Sequence, residues 1–323
     1  MTRRDRRAPA GTLAGVALAV IGAAGFAAKG VFAKLLYADG WGVEAVLTIR
    51  SLLALPIIAV WALWAVGPRT LLRTPPTVVC GAAAAGTLCY YVGAMFDFHA
   101  LTLIDASIER VLLFSYPSMV VLCYSAMYRE WPEPRILGAL ALTYVGIFMV
   151  VTGLDLGVLH GNLTGAGLVL ACAVTSAIYY LASDRWTHAI GSLGFTLIAL
   201  AAATLCLFVH RVVHSGAGAM VWGGRDYWLI AALVLLSTVM PMLAMAEGVR
   251  RLGAPRASVV STVGPPTTIL LGAWLLNEQL RPAQWVGVAL IVIGILALEL
   301  STHRARPADQ KGPPETLRPI ETP

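Results

Sequence analysis

The segment PSMVVLCYSAMYREWPEP (Pro117–Pro134) is echoed 148 residues later by PPTTILLGAWLLNEQLRP (Pro265–Pro282). In both, a proline opens an apolar run, and a glutamate and a second proline close it. Pro117, Glu130 and Pro134 fall on Pro265, Glu278 and Pro282, and the same shift carries Ala106 onto Ala254 and Gly146 onto Gly294. A shift of 150 carries Gly11, Leu13, Gly15 and Leu18 onto Gly161, Leu163, Gly165 and Leu168. The matches keep their order with a slip of two residues, so the chain reads as two related halves.

Working outward from this pair, the rest of the chain divides into apolar runs of membrane-spanning length, about 20 residues each. About ten helices are predicted, over 13–36, 43–66, 77–101, 105–127, 135–153, 163–184, 193–213, 227–249, 255–276 and 283–300. Short connections rich in Gly, Pro, Asp and Arg separate them, as at Ala38-Asp39-Gly40-Trp41-Gly42. The fold class expected is all-α integral membrane, with about ten transmembrane helices in two inverted five-helix repeats. Inversion follows from the odd number, because after five crossings the second half enters the membrane in the opposite sense. The domains are then a tail over 1–11, repeats over 12–153 and 161–300, and a polar, proline-rich tail over 301–323 that is too hydrophilic to fold alone.

Composition agrees. Of 323 residues, 58% are hydrophobic and only 12% charged, about half the charge of a soluble domain. The net charge of +6 does not signal nucleic acid, because the basic residues sit between apolar runs, where topology places them. Of 23 Lys and Arg, four (Lys29, Lys34, Arg50, Arg110) lie inside spans and three (Arg211, Arg225, Arg281) in outer loops. The remaining sixteen occupy cytoplasmic segments if both termini are cytoplasmic, a bias that fixes orientation. The location implied is a bacterial inner membrane. Met1 to Arg7 (MTRRDRR) followed by an apolar run also has the outline of a signal peptide, but Leu13 to Leu36 is long enough to be a first span. The five cysteines all fall within apolar runs without metal or disulfide spacing.

The segment around Pro265, Glu278, Gly287 and Gly294, and its first-half counterpart Pro117, Glu130, Gly138 and Gly146, resembles the EamA-type branch of the drug/metabolite transporter superfamily. Gly138 stands one residue early, and Gly25-Phe26 replaces the tryptophan-glycine pair common in that family's first helix. The resemblance spans about 12–300. It implies a secondary transporter of small metabolites and says little about which.

Ionisable residues inside a bilayer cost roughly 2.5–3.5 kcal/mol each at a helix centre and mark a site or a buried pair. Lys29, Arg50, Asp97, Glu109 and Arg110 share a depth in the outer half of helices 1 to 4, predicting a polar vestibule open to the outside that binds substrate. Glu109 and Arg110 are adjacent and diverge by about 100°, so at most one faces the cavity. Three cations against two acids favour an anion, hence a carboxylate-bearing amino acid or organic acid, and an exporter is the expected direction. Glu109 is the candidate proton carrier. Pro117, Pro265 and Pro266 are candidate helix breaks or gates. Lys34 is read as snorkelling, Asp105 as a cap, Glu130 and Glu278 as fixing the helix 4–5 and 9–10 connections, and Glu247 and Asp184 as interfacial caps. The second half has fewer ionisable counterparts.

No P-loop, HExxH or GxSxG is present, so no catalytic residue, metal or cofactor is assigned and an enzyme is not expected. A drug exporter and, from other classes, a membrane scaffold or intramembrane enzyme are the rivals. The partners expected are a small-molecule substrate and the lipid bilayer, with no nucleic acid; a homodimer is compatible with the sequence.

Overall fold

The computed structural model describes residues 9–116, 119–120, 134–152, 156–215, 224–252, 260 and 263–304. All regular structure among the described residues is helical. In chain order it comprises α1 (Pro9–Ala27), α2 (Lys29–Ala38), α3 (Val43–Val66), α4 (Pro68–Leu72), α5 (Pro76–Gly86), a π-helical stretch (Thr87–Gly93) and α6 (Ala94–Ala100). Then follow α7 (Ala106–Leu113), α8 (Pro134–Thr152), α9 (Leu156–Ser215), α10 (Gly224–Ala231), a second π-helical stretch (Ala232–Val239), α11 (Met240–Leu252), α12 (Gly264–Leu276) and α13 (Pro282–Arg304).

Six of the described helical runs are long and apolar enough to cross a membrane: Leu13–Ala38, Val43–Val66, Pro76–Ala100, Asn162–Tyr179, Leu193–His214 and Gly224–Met245. Leu137–Thr152 and Pro282–Ala297 are shorter apolar helices. The helices carry bare apolar surface as lipid-facing helices do: Trp64, Trp228 and Trp274 are 77–84% exposed. The protein is a multi-pass membrane protein.

Several boundaries differ from expectation. The first predicted helix breaks at Ala28, whose N–H reaches both Ala24 and Gly25 carbonyls (3.2 and 3.1 Å). The break leaves the Ala27 carbonyl open to the Thr268 hydroxyl of α12 at 3.0 Å. The fourth predicted helix is interrupted after Leu113 by a turn at Phe114 and Ser115, and Tyr116, Met119 and Val120 are helical again. Pro117, Glu130 and Ala254 lie outside the described residues, as do the side chains of Asp184 and Arg185. Helices 6 and 7 run on as α9, with the corner taken by Gly191 (φ 72°), a backbone region that glycine enters without a Cβ clash. Pro265 and Pro266 sit in the first turn of α12, where a missing N–H costs nothing.

Small residues let the helices approach. α8 and α13 run antiparallel: a Cβ at Gly146 would meet the Gly287 carbonyl oxygen at 2.7 Å, while Gly294 abuts Ala139 and Thr143. Gln284 adds a bond from its amide to the Val150 carbonyl (2.9 Å). α1 and α11 are also antiparallel, with Ala19 on Gly248, Gly22 on Met245 and Gly25 on the Pro241 ring. The π-helical stretch after α5 packs on α9 in the same sense, with Gly93 on Thr175, and Tyr90 donates its hydroxyl proton to Tyr179 at 3.0 Å. One apolar cluster contains Leu36, Leu47, Phe98, Ile230 and Leu233, and a second, with Ile147, Val150 and Ile291, lies along α8 and α13; Lys29 and Arg50 lie against Phe98 of the first.

Candidate functional site

Lys29 is the first residue of α2, directly after the break at Ala28. A helix interrupted at membrane depth is tolerated where it is buried in protein or lines a cavity. The ammonium is held by Asp97 of α6 and lies 3.5 Å from Glu109 of α7. Asp97 is 3% exposed and Glu109 1%. One cation therefore serves two carboxylates in a dry setting. A small residue at position 30 admits them: a Cβ on Gly30 would stand 3.2 Å from Glu109 Oε2.

Phe98 joins this triad to Arg50. Lys29 Nζ stands 5.6 Å and the Arg50 guanidinium 5.1 Å from the centre of its ring, within cation–π range. Arg50, on α3, makes no ion pair among the described residues, and its Nε is buried without a hydrogen-bond partner. Asp97 Oδ1 and Glu109 Oε2 are likewise buried and unmatched. Tyr37 closes the side of the site by donating to the Phe98 carbonyl at 3.1 Å.

The structure thus brings Lys29, Arg50, Asp97 and Glu109 together. Arg110 diverges from them, as adjacency on a helix requires. Its guanidinium stands 5.6 Å from the Phe114 ring centre and faces Gly264 at the start of α12, where a Cβ would stand 3.2 Å from Nη2. The open vestibule expected from the sequence is corrected, because the two acids are buried against Lys29 rather than lining a wet mouth. Pro265 is buried in the first turn of α12, and Thr268 is buried one turn further along that helix.

Three other expectations need correction. Lys34 does not snorkel: its ammonium lies 3.4 Å from Glu278 and 3.5 Å from Asp105. Asp105 is the N-cap residue of α7 but makes no side-chain cap bond. Glu278 does that work from 172 residues away, accepting the N–H groups of Ala106 (2.8 Å) and Ser107 (3.0 Å) and the Ser107 hydroxyl (2.7 Å). It therefore ties the end of α12 to the start of α7, not α12 to α13. Glu247 forms an i,i+4 pair with Arg251 at 2.7 Å.

Sequence reasoning missed Phe98, which looks like any phenylalanine in an apolar run. It also missed a polar chain across three helices: the Tyr91 hydroxyl meets His210 Nδ1 at 2.8 Å, and His210 Nε2 meets Glu44 at 3.2 Å. A histidine and a glutamate near span ends were the available signals.

A helical membrane bundle with ion pairs enclosed at the depth of its spans is the architecture of a protein that handles polar solutes. The chain belongs to the EamA-like transporter family, whose model matches residues 13–152 and again 163–300. It is 30% identical over 305 residues to the uncharacterized transporter YcbK of Bacillus subtilis, covering 91% of this chain and 94% of that protein. It is 26% identical over 215 residues to the uncharacterized inner membrane transporter YicL of Salmonella typhimurium, covering 63% of this chain and 68% of that protein. A solved crystal structure superposes with a TM-score of 0.61 at 18% identity, covering 92% of this chain and 99% of that chain; at that identity the likeness concerns the fold. The homologues' names and the family make this protein a membrane transporter.

Proposed function

We propose that the protein is a secondary carrier, working as an exporter, for a small polar metabolite bearing a carboxylate, such as an amino acid or organic acid. It has ten spans in two inverted five-helix repeats, over 12–153 and 161–300, and both termini are cytoplasmic in a bacterial inner membrane. The observation that carries the substrate class is Arg50: a half-buried guanidinium that makes no ion pair among the described residues, set on Phe98 beside Lys29, whose own charge is taken by Asp97 and Glu109. With Glu109 carrying a proton, the two cations Lys29 and Arg50 face the single charge of Asp97, and in a low-dielectric interior that excess favours an incoming anion.

Contact reciprocity supports the repeat. Under the 148-residue shift Gly146 becomes Gly294, while its neighbours Gly287 and Ile291 become Ala139 and Thr143, which are the residues that Gly294 touches. A pair of equivalent contacts exchanged in this way is the mark of a twofold relation. Because α8 and α13 run antiparallel, the axis lies across the helices, hence in the membrane plane. Gly25 on Pro241 likewise becomes Thr175 on Gly93, and the two π-helical stretches occupy corresponding places before residues 94 and 240. Repeats of this kind alternate access around a site between them. Glu109, sharing one ammonium with Asp97, is the group best placed to carry a coupling proton.

The test is a thermal-shift screen of the purified protein against amino acids, organic acids and lipophilic cations. A ligand that binds the folded state raises Tm. Carboxylates should raise it, and Arg50→Ala should abolish the shift while leaving the ligand-free Tm within a few degrees. If lipophilic cations alone stabilise the protein, a drug exporter is the better reading.

A further inference from the structure

We infer that Glu278, Lys34, Asp105 and Ser107 form a one-sided latch that holds the outer face of the transporter closed, and that its release is the step that opens the site outward. This rests on the inverted-repeat carrier reading, which puts these residues at the periplasmic ends of helices 1, 4 and 9.

The latch is built to close. α12 ends at Asn277 in a left-handed conformation (φ 54°), one that Asn adopts more readily than most residues. This turn folds the chain back, and the Glu278 N–H reaches the Gly272 carbonyl at 3.1 Å. The carboxylate then lies against the start of α7, taking three hydrogen bonds there and the Lys34 ammonium. Gly272 is required for that path, because a Cβ on it would stand 2.6 Å from both Glu278 Oε2 and Ser107 Oγ. Charge-assisted bonds to a carboxylate at a helix start are the strong kind. They join the two halves.

The same two helices carry the site. Lys34 lies on α2 five residues after Lys29, about 7.5 Å further along the axis at the helical rise per residue. Ser107 precedes Glu109 on α7 by two residues. Freeing α7 from Glu278 therefore loosens the helix that holds Glu109 to Lys29. A ligand at Arg50 that competes for Lys29 or Asp97 acts on the same helices.

The sequence of the other repeat supplies fewer of these parts. In repeat register Glu278 corresponds to Glu130, but Ser107 corresponds to Pro255, which has neither N–H nor hydroxyl. Lys34 corresponds to Asp184, Asp105 to Gly253, and Gly272 to Tyr124. By sequence, Ala254 keeps the N–H equivalent to that of Ala106, but the N–H and hydroxyl of Ser107 and the cation of Lys34 have no counterpart. The sequence thus biases the resting protein toward the state closed outside, and release of one carboxylate exposes the site to the periplasm.

The test uses the full chain in lipid nanodiscs without substrate, its five cysteines replaced by alanine. Spin labels at Thr102→Cys and Gln279→Cys report the outer separation of the halves by electron paramagnetic resonance. Without further change, one short distance dominates. Glu278→Gln should raise the ratio of long to short distances about tenfold, and Lys34→Gln, which keeps the cap bonds and secures a folded variant, about threefold. Glu130→Gln should leave the outer distance unchanged. A lower Tm in Glu278→Gln with the short distance retained would make the cluster a helix cap and nothing more. An outer distance that lengthens as much in Glu130→Gln would remove its one-sidedness. Absence of transport by the unlabelled protein in liposomes would instead sink the carrier reading and leave these distances as they stand.

Discussion

The two halves of this transporter share their packing and differ in their charge. Gly25 of the first half receives Pro241, and in repeat register Gly93 receives Thr175; Gly146 and Gly294 exchange equivalent neighbours. At the positions of Lys29 and Asp97, however, the second half has Tyr179 and Met245, and Ala257 stands where Glu109 would be. Helix contacts at membrane depth rest on small residues and close backbone approach, so both halves must keep them. Buried charge is costly, and a carrier needs it only where the solute binds. Duplicated architecture and single-copy chemistry therefore rest on different residues.

The largest expected effect tests the charged half. Lys29→Met leaves two buried carboxylates without their cation, and breaking such a pair costs about 3–5 kcal/mol. Thermal unfolding in detergent should show a large loss of Tm. Adding Asp97→Asn and Glu109→Gln should recover most of it, since replacing a whole buried cluster by neutral groups is close to neutral. A mild effect of Lys29→Met alone would mean that the triad is wet and loosely held.

A smaller effect sharpens the packing half of the comparison. An alanine at Gly25 would press on the rigid Pro241 ring and stand 2.6 Å from the Leu236 carbonyl. At Gly93 it would press on Thr175, whose hydroxyl now donates to the Cys172 carbonyl at 2.8 Å and can turn away. Overpacking costs about 1–3 kcal/mol, so Gly25→Ala should lie near the top of that range and Gly93→Ala near the bottom. Equal melting temperatures for the two variants would show that the contacts are looser than the duplicated geometry implies.

The smallest effect lies at the neutral counterpart of Lys29. Tyr179→Phe loses the bond from Tyr90 and should cost about 1 kcal/mol while ligand binding persists. A loss of binding as deep as that of a charged-half variant would give the second half a share in the chemistry.

The all-helical membrane class was legible in the sequence. Apolar runs located the six described helical runs long enough to cross a membrane, and Val43–Val66 coincides with its predicted limits. The repeat was legible because Pro117, Glu130, Pro134 and Gly146 recur in order. The break at Ala28 and the π-helical stretches were not, because they depend on partners distant in sequence, such as Thr268. Within the site, Lys29, Arg50, Asp97 and Glu109 stood out because ionisable groups are rare in membrane spans. Arg110 stood out equally and points elsewhere, since one step along a helix turns a side chain by about 100°. Glu278 gave no local sign of capping a helix that begins at Ala106, because a cap supplied from another segment leaves no pattern beside the helix it caps.

The most direct measurement is uptake into liposomes of a carboxylate found in the thermal-shift screen, with matched amounts of unmodified protein and Arg50→Ala, both folded by Tm. The account predicts saturable transport by the unmodified protein and a loss of about a hundredfold or more in Arg50→Ala, the order expected when a buried charged contact to the solute is removed. Undiminished transport by Arg50→Ala would contradict it and leave the guanidinium on Phe98 as a structural contact.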